Sequence, residues 1–362
     1  MKLAERMSRL GTETAFEVLA KARQLEAKGV DVIHLEIGEP DFDTPQNIVQ
    51  AGVDALVGGY THYGPSPGLM ETRERIAEEV SDTRGISVSA DNVVVTPGAK
   101  PIMFFAMLAL VDRGDEVLYP NPGFPIYESM INFAGGTPVP MELSPSRDFE
   151  IDAGEVARQI TPRTKMMVLN SPNNPCGSII EKPYLEVLAD LAREHNIIVL
   201  SDEIYRRFLY EGSHQSITQF ADMPDQTIIL DGFSKTYAMT GWRVGYGVMP
   251  LELVEPISRL CTNSVSCTAS FTQRAILEAM EGPQDEAHKM VAEFKKRRDQ
   301  IVEGLNQIPG IHCPMPKGAF YTFPSVEGTG MSSRDFADGL LQEQGVACLA
   351  GESFGKYGDG CV

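Results

Sequence analysis

Short apolar segments that end in polar or turn residues recur along the chain, and segments with helical spacing separate them. The apolar segments include NVVVTPG, DEVLYPNPG, TKMMVLNSPNNP, IIVLSDE and TIILDGFSK. Helical spacing follows the first of them over residues 100–111 and recurs in YLEVLADLAREHN. Continuous apolar strands that alternate with helices are typical of a sheet buried on both faces. The pattern therefore predicts an α/β fold with a mostly parallel sheet flanked by helices.

The two ends of the chain predict a second, smaller α+β lobe. Residues 16–28 have helical spacing, and GLNQIPGIHCPMPKGAFYTFPSV has the pattern of a helix end followed by strands. We therefore expect residues 1–42 to form the N-terminal segment of the small lobe. Residues 43–275 are expected to form the large domain, and residues 276–362 a small C-terminal domain.

Composition and charge narrow the classes of function. The chain has 362 residues, and its 31 Lys and Arg against 50 Asp and Glu give a formal net charge of −19. Such a surface repels nucleic-acid phosphates. The longest apolar run, IMFFAMLALV, is shorter than the ~20 residues that span a bilayer. The N-terminus lacks the apolar core of a signal peptide, and the six cysteines form no C-x-x-C motif. We expect a cytoplasmic protein without a metal, nucleic-acid or membrane partner.

Candidate phosphate ligands lie between the first predicted strand and its helix. The segment TPGAK contains Gly98, Ala99 and Lys100, and glycine allows the chain to turn sharply there. A helix start presents free N–H groups and a positive potential that suit a phosphate. Arg243 could grip the same phosphate through its planar guanidinium. The alternatives are an ordinary strand-to-helix turn and a structural ion pair.

Two charged residues follow buried strands directly. Asp202 comes after IIVL, where a carboxylate needs a cation or hydrogen-bond donors, although aspartate also caps helices well. Lys235 comes after TIILDGF. In solvent it would be an ordinary surface lysine. In a pocket its amine would lose basicity and could form a Schiff base with an aldehyde.

Two further strand ends carry Phe124 in NPGF and Asn174 in SPNNPCG. Phe124 is either a core residue or a platform for a flat ring, and Asn174 either belongs to a structural turn or donates to a ligand oxygen. Ligands of α/β sheets bind beyond the carboxyl ends of the strands, where all these residues are expected. Phosphate donors, a stacking ring, an acid, an amide and a reactive amine are the set that pyridoxal phosphate requires.

Ordered motifs over nearly the whole chain resemble a known family. They are IGEPDFDTP, YTHYGPSPGLMETRERIA, VVVTPGAK, ITPRTKMMVLNSPNNPCG, LSDEIYRRFLYEG, GFSKTYAMTGWRVGY and PKGAFYTF. The chain resembles fold-type I, class I/II aminotransferases, in particular the bacterial aspartate/prephenate aminotransferase subgroup. The resemblance implies the pyridoxal-phosphate transferase fold and a ping-pong transfer of an amino group between an amino acid and a 2-oxo acid.

The resemblance also implies roles for residues around the cofactor ring. Lys235 matches the Schiff-base lysine, which also moves the α-proton as general base and acid. Asp202 matches the partner of the ring nitrogen. Tyr205 and Asn174 match the groups that hydrogen-bond the ring hydroxyl, and Phe124 matches the aromatic residue stacked on the ring. The catalytic residues expected are therefore Lys235, Asp202 and Tyr205.

Further positions match phosphate and substrate contacts. Gly98–Lys100, Arg243 and Ser234 match phosphate ligands, and Tyr63 matches a tyrosine that reaches the cofactor of the partner subunit in a homodimer. Gly38 matches a backbone contact near the substrate carboxylate. Together with Asn174 and Lys100, it completes the expected substrate-binding residues.

The resemblance is less specific for the substrate than for the type of reaction. A lysine at the position of Lys100 binds a distal carboxylate in the subgroup, which favours aspartate or another acidic amino acid. Relatives often carry a small hydroxyl residue where this chain has Ala15, so aromatic or neutral donors stay open.

The end of the chain is the main departure from the family pattern. After the segment that matches GESFGKYGDGCV, relatives continue into an arginine that binds the substrate α-carboxylate, then a strand and a helix. We expect the sequence to be truncated or incompletely recorded, which the intact mass of the source protein would test. The alternatives to an aminotransferase are a C–S lyase, a decarboxylase or a carboxyvinyl-type synthase of the same fold. An inactive, truncated cofactor binder and a non-catalytic regulatory module also stay open.

Overall fold

The computed structural model describes residues 1–362. It contains eleven α-helices and nine strands. The helices are α1 (Ala15–Glu26), α2 (Gln46–Val57), α3 (Met70–Arg84), α4 (Lys100–Leu110), α5 (Ile126–Ala134), α6 (Ala153–Gln159), α7 (Lys182–Glu194), α8 (Leu251–Ser264), α9 (Ser270–Glu281), α10 (Asp285–Asn306) and α11 (Ser333–Gln344). The strands are β1 (Ile33–His34), β2 (Val93–Thr96), β3 (Glu116–Asn121), β4 (Thr137–Glu142), β5 (Thr164–Asn170), β6 (Ile198–Asp202), β7 (Thr227–Gly232), β8 (Gly245–Val248) and β9 (Val346–Ala347).

A seven-stranded sheet in the order β2-β8-β7-β6-β5-β3-β4 forms the centre of the molecule. The pairings among β3, β4, β5, β6 and β7 are parallel, and β8 is antiparallel to β2 and β7. The predicted α/β fold with a mostly parallel sheet is therefore confirmed. Strands β4 and β8 were absent from the prediction, because prolines interrupt the first and glycines the second.

Side chains of the central strands are buried on both faces of the sheet. Along β5, Met166 and Val168 belong to one apolar cluster, whereas Met167 and Leu169 belong to another on the opposite face. Helices cover both faces, so the strands are apolar along their whole length. Polar side chains are thus confined to the strand ends, and the carboxyl ends of β3, β5, β6 and β7 meet at one edge.

A small parallel sheet of β1 and β9 lies beside α1 and α11. Its apolar cluster consists of Ala22, Val32, Leu341 and Ala347. The strands predicted after α10 are wrong: residues 309–326 form only isolated bridges, including His312 with Ser325. Prolines at 309, 314, 316 and 324 remove backbone donors that a ladder would need. The division into residues 1–42, 43–275 and 276–362 stays a prediction.

No helix is both long enough and apolar enough to cross a membrane. No group of three or more His, Cys, Asp or Glu side chains is arranged to hold a metal ion. The six cysteines are free thiols.

A buried network of charges ties α3 to the ends of two central strands. Arg84, the last residue of α3, is fully buried and donates to Glu203 Oε2 at 2.9 Å and to Asp231 Oδ2 at 2.7 Å. Burial opposes ionisation of Glu203, but the Arg84 guanidinium and His214 outweigh it and hold the pKa of that carboxyl well below its usual range. Glu203 directly follows β6 and Asp231 lies in β7, so Arg84 fixes the two strands that lead into the candidate site.

Replacing Arg84 by Met should lower the free energy of unfolding by about 3–5 kcal/mol, because two buried carboxylates lose a paired cation. Urea denaturation at pH 7 measures the change. Arg259→Met is the matched control, since Arg259 and its partner Glu255 are 70% and 67% exposed, and it should change stability by less than about 1 kcal/mol. Equal effects of the two substitutions would contradict the role assigned to the network.

Candidate active site

A cavity of about 380 Å³ opens at the edge where the carboxyl ends of the parallel strands meet. It collects nearly all the site residues predicted from the sequence. Those that line it are Gly38, Ala99, Lys100, Phe124, Asn174, Asp202, Tyr205, Ser234, Lys235 and Arg243. The fold thus brings residues from distant parts of the chain to one concave site, as expected for a sheet of this class.

Lys235 is a buried amine with basicity lower than that of a surface lysine. It lies three residues after β7, and its Nζ donates to the carbonyl oxygen of Gly38 at 2.6 Å. Burial lowers the pKa of Lys235 to about 8, against the opposing effect of Glu39 and Glu13. A substantial fraction of the amine is therefore neutral at mildly alkaline pH, as a nucleophile requires.

Asp202 ends β6 as a buried carboxyl group that no cationic side chain contacts. Tyr127 donates its hydroxyl to Asp202 Oδ2 at 2.6 Å, and the Ile204 N–H donates to Oδ1 at 3.2 Å. Burial raises the pKa of Asp202 to about 6, although these two hydrogen bonds lower it. No helix starts after Asp202, so it is not a helix cap. The carboxyl group needs a cation from a ligand, and a protonated ring nitrogen is one.

Tyr205 and Asn174 both line the cavity, and the ring centroid of Tyr205 is 5.8 Å from the Lys235 ammonium. The Tyr205 hydroxyl is hydrogen-bonded to the hydroxyl of Tyr321, and burial raises the pKa of both phenols, so both are protonated at neutral pH. The Asn174 N–H donates to Asn170 Oδ1 at 2.8 Å, which fixes the loop after β5. A side chain at Gly38 would collide with the Tyr321 hydroxyl, so glycine is required where the backbone approaches Lys235.

The part of the cavity wall formed by the start of α4 and Arg243 has the features of a phosphate site. No side chain caps the start of α4, and the N–H groups of Gly98 and Ala99 donate to no protein acceptor. Gly98 has φ of 86°, and a Cβ there would overlap the Arg243 guanidinium. Arg243 precedes β8, whose antiparallel direction brings this residue to the same edge of the sheet. Ser234 lines the cavity nearby.

Lys100 and Phe124 lie close to each other on the cavity wall. The Lys100 ammonium is 5.2 Å from the centroid of the Phe124 ring and forms an ion pair with Glu13. The start of α1 and the two residues before it also line the cavity: Glu13, Thr14 and Ala15. Lys100 therefore has a protein partner and does not simply face solvent.

Two predicted site residues, Gly98 and Tyr63, are not among those that line the cavity. Gly98 directly precedes Ala99 of the wall, so Tyr63 is the predicted site residue with no chain neighbour in the wall. Its side chain is 90% exposed. Because its expected role is to reach the cofactor of a partner subunit, that role stays a prediction.

Many residues of the cavity wall were assigned no role from the sequence, among them the ionisable residues Glu13, Glu36, Tyr127 and Tyr321. Tyr127 follows Phe124 by three residues at the start of α5, a spacing that could have indicated a second wall residue. Tyr321 lies in the family motif PKGAFYTF, where nothing local distinguishes this tyrosine as a wall residue. Nothing local in the sequence pairs Glu13 with Lys100, because the fold brings them together across 87 residues.

The residues present fit pyridoxal phosphate. Lys235 supplies an amine for an aldehyde, and Asp202 supplies a buried carboxyl group without a cation. The uncapped start of α4 and Arg243 supply donors for a phosphate. These are the three recognition elements that the cofactor requires.

Comparison with known proteins identifies relatives along nearly the entire chain. The family model "Aminotransferase class I and II" matches residues 30–362. An aspartate aminotransferase of Pyrococcus horikoshii is 40% identical, with 99% of this chain and 91% of the relative covered. A probable aspartate/prephenate aminotransferase of Aquifex aeolicus is 40% identical, with 98% and 92% covered. The solved structure of Thermus thermophilus aspartate aminotransferase with maleate is 38% identical, with a TM-score of 0.95 over 100% of this chain and 94% of that one.

The low basicity of Lys235 should be visible in its reaction with pyridoxal phosphate. Borohydride reduction after a brief exposure should trap the cofactor on Lys235 at a rate that rises about tenfold per pH unit and levels off above pH 8, because the free amine reacts. Peptide mass spectrometry measures the adduct. Lys289, whose pKa is raised by Glu286, is the internal control and should still be gaining reactivity at pH 9. A Lys235 profile that follows Lys289 would contradict the assignment.

Replacing Tyr127 by Phe should destabilise the cofactor-free protein by about 1–3 kcal/mol at pH 7.5, because Asp202 Oδ2 loses its hydroxyl donor. Burial has raised the pKa of Asp202 to about 6, and losing the bond raises it further. The loss of stability is therefore largest when Asp202 is ionised. It should be smaller at pH 5, where Asp202 is protonated. Urea denaturation at both pH values measures this difference, with the exposed Tyr184→Phe as control. A penalty independent of pH would show that the bond does not depend on the charge of Asp202.

Proposed function

The chain belongs to the class I and II aminotransferases, which depend on pyridoxal phosphate, and we propose that its amino donor is L-aspartate or another acidic L-amino acid. The amino group goes to a 2-oxo acid such as 2-oxoglutarate. The observation that carries this proposal is the Lys100 ammonium in the cavity that also contains Lys235. Its position suits a second carboxylate on the substrate.

The relatives support this choice of substrate. The Pyrococcus and Thermus proteins are named aspartate aminotransferases, and the Thermus protein was solved with maleate, a four-carbon dicarboxylate. The Aquifex relative is named for prephenate as well as aspartate, so the acceptor side of the proposal includes larger 2-oxo acids.

Pyridoxal phosphate, when bound, supplies a conjugated ring that accepts the electrons released at the α-carbon of the amino acid. Lys235 would hold its aldehyde through a Schiff base. With a donor amino acid in the cavity, the free Lys235 Nζ would be the base that removes the α-proton and the acid that returns it. A pKa of about 8 suits both roles near neutral pH.

Asp202 would bind the ring nitrogen and keep its proton in place, while Tyr127 orients the carboxyl group from behind. Tyr205 and Asn174 would donate hydrogen bonds to the ring hydroxyl, and Phe124 would stack on the ring. The start of α4, with Gly98 and Ala99, would bind the phosphate together with Ser234 and Arg243. Near Lys235, the Gly38 backbone and Asn174 would contact the α-carboxylate.

We further propose that the enzyme is a homodimer of the cytoplasm. Tyr63 supports the dimer, because its aromatic side chain is 90% exposed and therefore accessible to a partner subunit. In the dimer it would reach the phosphate of the cofactor in the partner subunit. The six free cysteines are compatible with a reducing compartment.

The proposal is tested by absorption spectra of the purified chain with pyridoxal phosphate, before and after L-aspartate. The band of the lysine-bound cofactor should convert to that of the aminated cofactor, and 2-oxoglutarate should reverse the change. Lys235→Ala should abolish the starting band. Lys100→Met should raise the KM for aspartate about tenfold, because a charge-assisted bond is lost, whereas the exposed Lys289→Met should not.

Two outcomes would contradict the proposed function. Release of ammonia and pyruvate in place of the aminated cofactor would indicate an elimination enzyme of the same fold. Conversion by uncharged amino acids but not by aspartate or glutamate would show that Lys100 does not select a distal carboxylate.

A further inference from the structure

The Lys100 ammonium already has a carboxylate partner within the protein. Glu13 lies in the non-helical segment before α1, and Lys100 is the first residue of α4. Their side chains form an ion pair and both line the cavity. Lys100 is the only hydrogen-bond partner of the Glu13 carboxylate, so nothing else in the protein holds this side chain in place.

The pair occupies the position where the distal carboxylate of an acidic donor is proposed to bind. A donor that carries this group brings a second negative charge next to Glu13, and two adjacent carboxylates repel each other. An uncharged donor brings no such charge, and Glu13 can stay on Lys100. The positive charge of Lys100 would thus have a negative partner with either class of donor: the distal carboxylate of an acidic donor, or Glu13 when the donor is uncharged.

The two side chains are only partly buried, which allows the Glu13 carboxylate to move away from Lys100. Lys100 is 47% exposed and Glu13 is 21% exposed, so water can solvate the displaced carboxylate. The other glutamates of the wall have partners of their own: Glu36 accepts from His34 at 2.8 Å and Glu39 from Thr240 at 2.9 Å. Glu13 is therefore the acidic group of this wall that a substrate carboxylate could displace.

We propose that Glu13 is a specificity-determining residue that acts as a displaceable counter-ion of Lys100. It lowers the affinity for dicarboxylic donors and keeps Lys100 paired when an uncharged donor is bound. This inference rests on the proposed function, because it assumes that Lys100 is the receptor for the distal carboxylate.

The test compares Glu13→Gln with the unmodified holoenzyme. The variant should bind maleate about fivefold more tightly and have about a fivefold lower KM for L-aspartate with little change in kcat, because the competitor for Lys100 is lost. The kcat/KM for L-methionine, an uncharged donor, should not rise. Glu17→Gln is the matched control: it removes the same charge from the first turn of α1, outside the cavity, and should change none of these values.

A double-mutant cycle identifies the partner of Glu13. In the Lys100→Met background, Glu13→Gln should no longer improve maleate binding. An improvement that persists there would show that Glu13 acts by general repulsion, and unchanged maleate affinity in the single variant would show that Glu13 does not compete at all. Either result overturns the counter-ion proposal.

Failure of this inference can be told apart from failure of the proposed function. If the unmodified enzyme transaminates aspartate but Glu13→Gln leaves the KM and the maleate affinity unchanged, only the counter-ion role is wrong. If the enzyme does not use aspartate, the donor assignment is wrong, and the maleate titration still decides whether Glu13 shields Lys100.

Discussion

The Asp202 carboxyl group, buried at the end of β6 without a cationic partner, is the constraint on which the rest of the site depends. Its only donors are the Tyr127 hydroxyl and one backbone N–H, and burial raises its pKa to about 6. A protein retains such a group when a ligand supplies the missing positive charge. The neighbouring residue Glu203 shows the contrast, because it has Arg84 as a built-in partner. The Glu203 carboxylate is thus neutralised within the protein, whereas the Asp202 carboxyl group lines the cavity without a cationic partner.

The direction of β8 explains how one sheet can present both ends of a cofactor site. Parallel strands place Asp202 and Lys235 at their carboxyl ends. Strand β8 runs the other way and places Arg243, two residues before its start, at the same edge. Gly245 lies between β2 and β7, and a Cβ there would overlap the backbone of Ala99. The absence of a side chain lets the start of α4 approach the sheet closely, which brings its free N–H groups next to Arg243.

The sequence predicted what depends on local pattern and on residue chemistry. The parallel sheet followed from continuous apolar strands, and the cavity contains Asp202, Lys235, Phe124 and Asn174 because strand ends of such a sheet converge. It did not predict contacts between distant segments, such as Tyr127 with Asp202 or Glu13 with Lys100. The error after α10 has a different cause: apolar residues in that segment suggested strands, but its prolines cannot donate to a ladder.

Ion pairs in this protein differ in function because they differ in burial. Arg84 and its carboxylate partners are almost fully desolvated, so water cannot replace Arg84 as the partner of Glu203 and Asp231, and the network is permanent. The Glu13–Lys100 pair keeps contact with water, so its two charges gain little from each other and lose little when a substrate carboxylate replaces one of them. The net charge of −19 opposes the approach of an acidic substrate, but salt screens that field beyond about 8 Å. We therefore expect selection among donors to be decided inside the cavity, where a weak, solvated pair can respond to the charge of the substrate and a buried one cannot.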